Sequence, residues 1–414
     1  MTLVRYLSLL LPAAALLAAG AGSERRDRAG AFLAFLAAVT GVAALHELAR
    51  AGGWWEFAPV DGAYRGMPID LWLGWAALWG PIPVLLRRHL RLPATLALLL
   101  WLDLLAMPRL EPLLTLGPQW LRGELLGLVA VALPAQLLGR WTAADRHLYR
   151  RVVLQMIVFT GLILWLLPTA VFTLGDGSWS RLSGTPLALL VQVAALLGLP
   201  AVAAVREFAV RGGGTPFPWD PPRRLVTTGP YAYVANPMQL SMVAELALLA
   251  AATRSLALTA ATLGAVAFSA GVAAPHERGD LGARHGDGWL AYRRRVRDWL
   301  PRARPYPALA PARIWLDDDC GPCAATRDFV AARSPVRLDL VPAATHPTTL
   351  WRARYAAADG YSATGVAAVA SAFDHLGIGW AYLGWFLRLP AVDRLAQLIT
   401  DAQIAPPHPA GGQR

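Results

Sequence analysis

The chain has 414 residues, is 56% hydrophobic, carries a formal charge of +11 and contains two cysteines; its mean hydropathy is +0.42. Apolar segments long enough to cross a bilayer, with arginines gathered between them, mark an integral membrane protein. The positive charge, all of it arginine because lysine is absent, sits where topology and anionic headgroups need it, so no nucleic-acid partner is expected.

In chain order the apolar runs predict about nine transmembrane helices, near 3–22, 30–49, 69–86, 92–107, 123–139, 152–174, 186–205, 238–252 and 256–274. The run at 92–107 is short and carries Asp103, and 238–252 with 256–274 reads equally as a re-entrant hairpin around Thr253-Arg254-Ser255. The first run, Val4 to Gly22, has one arginine before it and the cluster Arg25, Arg26 and Arg28 after it, which favours an uncleaved anchor over a signal peptide. Counting arginines in alternate loops sets Arg25/Arg26/Arg28, Arg87/Arg88/Arg91, Arg140/Arg146/Arg150/Arg151 and Arg206/Arg211/Arg223/Arg224 against a sparser opposite set. The expectation is an inner membrane of bacterial type, the N-terminus outside and everything after about residue 275 cytoplasmic. Residues 1–150 have no assigned role; most of their landmarks, among them His46 and Glu47, are interfacial, and Asp103 stands apart in mid-segment.

A Pro/Gly-rich loop, Gly212 to Pro222, leads into Gly229-Pro230-Tyr231-Ala232-Tyr233-Val234-Ala235-Asn236-Pro237. A second block, His276-Glu277-Arg278 through His285-Gly286 to Tyr292, follows the intervening hairpin. Together these resemble the isoprenylcysteine carboxyl methyltransferase and phospholipid methyltransferase superfamily, and 151–302 is read as such a domain. Here Glu277-Arg278 stands where the family has paired glutamates, His285-Gly286 where it has Phe-Gly, and Ala235 where it has an arginine. The resemblance implies S-adenosylmethionine as cofactor, with Tyr231, Tyr233, Asn236, Pro237, His276, Glu277, His285, Gly286 and Tyr292 around it, and a membrane lipid or lipophilic small molecule as acceptor. The chemistry agrees: a sulfonium needs aromatic faces and a counter-charge, which the tyrosines, Trp289 and Glu277 can supply. The plainer reading is that Trp289 and Tyr292 are belt residues and Glu277 a solvated one. Glu245, inside an apolar run, is expected to face the acceptor pocket or else to pack between helices.

After a Pro/Arg linker at 303–311 the composition changes to a small α/β domain at 312–404, ending in a disordered tail at 405–414. Ile314–Leu316 and Val336–Val341 read as strands, and Ala324–Arg333 and Thr364–Leu376 as helices. Between the first strand and helix lies Asp317-Asp318-Asp319-Cys320-Gly321-Pro322-Cys323. A Cys-x-x-Cys turn at a helix N-terminus gives Cys320 a positive dipole end and Cys323 an attack path on a mixed disulfide. Redox chemistry ranks above a zinc site, for which only the distant His346 and His375 are available, and above an inert pair; no metal is expected. The segment resembles the DCC family of thiol-disulfide oxidoreductase-like proteins through Asp317, Asp319, Cys320 and Cys323 and through 360–369 and 380–390. That implies a thioredoxin-like fold, no cofactor, and a disulfide-bearing or thiol partner. The carboxylates of Asp317 and Asp319 oppose a thiolate or relay a proton.

The sequence therefore describes a multi-pass all-α membrane protein with a small C-terminal α/β thioredoxin-like domain. Its expected function is methyl transfer to a lipophilic acceptor combined with dithiol/disulfide exchange; the alternative is a membrane-anchored thiol-disulfide oxidoreductase whose helices only tether it or bind lipid.

Overall fold

The computed structural model describes residues 2–410, apart from the side chains of 185, 186, 272, 273 and 276. In chain order its apolar helices are α1 (Thr2–Gly20), α2 (Arg25–Gly52), α3 (Ile69–Leu85), α4 (Leu92–Leu110), α5 (Trp120–Ala143), α6 (Leu148–Leu174), α7 (Leu187–Gly212), α8 (Pro237–Thr253) and α9 (Leu256–Gly271). Among the described residues six of them are long and apolar enough to cross a membrane, all but α3, α8 and α9. This corrects the nine expected spans. Met107 to Leu110 extend the short run at 92 to full length, whereas α3 is broken at Gly80 (φ −105°, ψ −93°) before Pro81, which has no N–H to continue the ladder.

The chain forms two compact units: Met1–Trp179 with Thr215–Pro221 and Ser255–Leu258, and Ser180–Gly214 with Pro222–Arg254 and Thr259–Arg414. In the first unit α2 lies against α5 at a contact only glycine permits, since a Cβ on Gly30 would come 2.4 Å from the Gly139 carbonyl oxygen. Two small ribbons, β1 (Trp55–Phe57) with β4 (Leu114–Leu116) and β2 (Ala63–Tyr64) with β3 (Met67–Pro68), close its loops. Trp55, Trp75 and Trp79 form an aromatic row with centroid spacings of 5.8 and 5.1 Å. Its end anchors Asp103, whose Oδ2 accepts a 2.9 Å bond from Trp79 Nε1. Asp103 is thus held inside the bundle, beside a fully buried Glu124.

In the second unit α7 and α8 are followed by α10 (Ala274–Arg293), kinked at Gly286 (φ 52°). A four-stranded sheet comes next, in the order β6 (Leu338–Pro342), β5 (Ala312–Leu316), β7 (Arg354–Ala357), β8 (Ser362–Thr364). Parallel pairing of β5 with β6 requires a crossover, and α11 (Gly321–Ala331) makes it; β5/β7 and β7/β8 are antiparallel. Ala312, Ile314 and Leu316 alternate inward along β5 and pack with Val330, Leu338, Tyr355 and Phe373. α12 (Val366–Ala372), α13 (Ile378–Leu387) and α14 (Pro390–Ile399) complete the unit. The single helix expected over Thr364–Leu376 is shorter, because 362–364 are drawn into β8 by their pairing with β7 and 373–375 tighten into a 3₁₀ turn.

The expected linker is not a free tether. Tyr306 and Leu309 are buried in one core with Leu199, Tyr233, Trp289, Tyr292 and Trp385. Where α7 ends, a buried ion cluster ties it to the C-terminal residues. Arg211 Nε lies 2.8 Å from Glu207, Arg388 pairs at 2.7 Å with Asp374, and Thr228 Oγ1 donates to Glu207 at 2.8 Å. Arg211 also pairs with Asp359. Charges this deep are tolerated only because each has an opposite partner.

A candidate dithiol site

The strand-to-helix turn after β5 delivers Cys320 to the N-cap of α11, in extended conformation (φ −98°, ψ 110°), one turn before Cys323. Both are free thiols; Cys320 is buried and Cys323 half-buried. The Ala324 N–H donates to the Cys320 carbonyl at 2.9 Å. Burial first, then the Cys320 hydrogen bond and charge, push the Cys323 thiol up to about 12. Cys323 is therefore a neutral thiol at neutral pH.

The two cysteines open into a cavity of about 240 Å³ walled by Trp315, Leu316, Leu350, Trp351, Val366, Phe373 and Leu387. Its rim is polar, with Asp317, Arg352, Asp401 and His408. Arg352 grips Asp401 through two bonds of 2.9 and 2.8 Å. The C-terminal segment lies along this rim instead of trailing away. Ala410 exchanges backbone bonds of 2.7 and 2.8 Å with Leu350, and His408 Nε2 donates to Asp317 Oδ2 at 2.6 Å. The expected disordered tail is thus ordered as far as residue 410, held by those bonds; 411–414 lie outside the described residues. The Pro406 carbonyl against Nδ1 and Asp317 against Nε2 raise the His408 pKa above its ordinary value.

Of the expected acids, Asp317 lines the cavity, whereas Asp319 is exposed and outside it. The Asp319 backbone N–H donates to Asp317 Oδ1 at 3.1 Å. The neighbouring Asp318 is neutralised by Arg327, whose Nη2 also donates to the Leu316 carbonyl at 2.7 Å. Arg327 was not visible as a site residue, since its spacing from the motif marks it only as a helix residue.

No protein-family model, curated protein or solved structure matches this chain.

The expected cofactor residues occupy other surroundings, and none lines the cavity. Tyr231 stacks on Phe208 at 4.8 Å, Tyr233 sits edge-on to Trp385 at 5.9 Å, and Tyr292 contacts Trp289 and Tyr306 at 5.8 and 5.4 Å. Tyr233 donates to the carbonyls of Asp374 and Leu376, and Tyr292 to that of Tyr231. These rings build a core. Asn236 donates to Asp298 at 3.2 Å, Pro237 starts α8, Glu277 and Gly286 are exposed, and His285 is half-buried. The side chain of His276 lies outside the described residues. Glu245 lies over Gly198 on α7, where a Cβ would come 2.5 Å from its Oε1, so it fills the α7/α8 seam.

Proposed function

We propose that this protein is a membrane-anchored thiol-disulfide exchange protein acting through Cys320 and Cys323. The observation that carries the reading is a Cys-x-x-Cys pair at a helix N-terminus, opening into an apolar cavity with a polar rim. The strand order β6-β5-β7-β8, with α11 crossing over between the parallel pair, supports a thioredoxin-like domain. The arginine distribution supports a cytoplasmic, reducing location for it, where the resting form is the dithiol.

In the reaction the Cys320 thiolate, favoured by the α11 dipole, attacks one sulfur of a partner disulfide. The partner's second sulfur leaves as a thiolate and takes up a proton. Cys323 then loses its proton to solvent and attacks Cys320 Sγ. The partner's first sulfur leaves, two electrons having passed to the partner as the Cys320–Cys323 bond closes. Trapping tests this: Cys323→Ser should accumulate a mixed disulfide with a model disulfide such as oxidised glutathione, and Cys320→Ser should not. Equal behaviour of the two variants would remove the assignment.

Methyl transfer by 151–302 is the second reading, supported by the two motif blocks alone. Calorimetric titration with S-adenosylmethionine should then show saturable binding that Glu277→Ala loses; no heat from folded wild-type protein rejects it.

A further inference from the structure

α14 is built inside out. Along it the exposed positions are Ala391, Arg394, Leu395, Leu398 and Ile399, with Leu398 67% exposed. The half-buried positions are Val392, Asp393, Ala396, Gln397 and, just beyond, Thr400 and Asp401, and Gln397, Thr400 and Asp401 face the cavity. Gln397 Oε1 accepts from the Val366 N–H at 2.8 Å, and Asp401 holds Arg352. A helix on a water-facing surface does the reverse, hiding its apolar stripe and showing its polar one.

The neighbouring helix supplies the reason. α13, Ile-Gly-Trp-Ala-Tyr-Leu-Gly-Trp-Phe-Leu, has no charged residue, and Leu383 and Phe386 on it are exposed. It packs on α7 in the core that holds Leu199 and Ala203. In α7 the apolar run continues to Val205, and the first charge is Arg206. At 1.5 Å per residue, Ala203 and Leu199 lie about 5–10 Å below that charged boundary. That is the depth at which an in-plane amphipathic helix rests in the headgroup and acyl boundary. The exposed apolar side chains of α13 thus belong to a helix packed on a membrane-length one, α14 follows it directly in the chain, and Arg394 among α14's exposed positions suits an anionic headgroup.

We propose that the α13–α14 pair is an interfacial element lying on the bilayer, its occupant the lipid itself. Ile404, exposed and also lining the cysteine cavity, carries this face to the cavity rim, so lipid-dissolved molecules reach the dithiol side without crossing water.

The test uses the full-length chain with Cys320→Ser and Cys323→Ser, reconstituted in nanodiscs containing anionic lipid, with an environment-sensitive fluorophore on Leu398→Cys. Leu395→Cys serves as a second position, and Arg313→Cys, on the exposed face of β5, as the aqueous control. Nitroxide on lipid acyl chains should quench both α14 labels about twofold or more and leave the Arg313 position unaffected, with aqueous iodide giving the opposite pattern. Iodide quenching of the α14 labels to the extent seen at 313 would overturn the proposal. So would labels shielded from both quenchers only when two copies share a disc, which would assign the face to a second copy of the chain.

Discussion

His375 shows how a single buried side chain sets a pH limit. Its Nδ1 donates to the Val336 carbonyl at 2.7 Å and its Nε2 accepts from the Tyr355 hydroxyl at 2.8 Å, so the ring is neutral. Burial lowers its pKa from 6.5 to about 4. A histidine with a depressed folded pKa binds its proton more readily when unfolded, so its stabilising effect is complete above pH 6.5 and lost as pH falls toward 4. The span corresponds to roughly 3 kcal/mol. Thermal unfolding of the second unit should therefore soften steeply between pH 6.5 and 4, and His375→Gln should flatten that slope even if it lowers Tm throughout. Cys320 and Cys323 were legible in the sequence as a pair at a strand-to-helix turn, because their spacing and the flanking periodicity are local. Glu124, which meets Asp103 beside Trp79, carried the same kind of signal, an ionisable group within an apolar run, and the sequence reading passed it over. Asp374 and Arg388 carried none, since only folding brings residues 14 apart into a 2.7 Å pair.

Among the elements, the C-terminal segment 405–410 is the one whose role depends most on what it covers. Its His408–Asp317 contact is partly exposed, so its contribution is at most about 1 kcal/mol. Truncation after Ile404 should accordingly raise the rate of thiol alkylation at fixed pH by about two- to fivefold. An unchanged rate would mean that the segment lies on the rim without restricting entry. Because the His408 pKa is raised, the contact is complete below pH 6.5 and is lost as pH rises through the raised value, so the truncation effect should shrink at higher pH. Strand and helix positions around the motif were readable from alternation and from the cysteine turn. The ends of the helices were not: β8 takes 362–364 through long-range pairing with β7, which local periodicity does not encode.

For the molecule as a whole, orientation is the property that governs the proposed chemistry. A cytoplasmic C-terminus places the dithiol in a reducing compartment, and the opposite placement would make it a resting disulfide. Paired C-terminal fusions to a reporter active only in the cytoplasm and to one active only outside should give signal from the cytoplasmic one alone. The reverse pattern would turn the exchange reaction round, making the protein an oxidant of its partner. The arginine count behind this expectation is complicated by burial, since Arg211 and Arg151 are taken up in ion pairs with Glu207 and with Asp145 and Asp220.

By itself the sequence determined that the chain is a helical membrane protein with a Cys-x-x-Cys pair in its C-terminal part, because span length, hydropathy and cysteine spacing are local properties. Tertiary structure alone decided that six helices among the described residues reach full length, that the tyrosines of the methyltransferase-like blocks pack into a core, and that Tyr306 and Leu309 join them there. It also decided that α14 turns its polar side inward. Each of these depends on which distant surface a side chain meets, and burial, unlike periodicity, is a property of the folded pair.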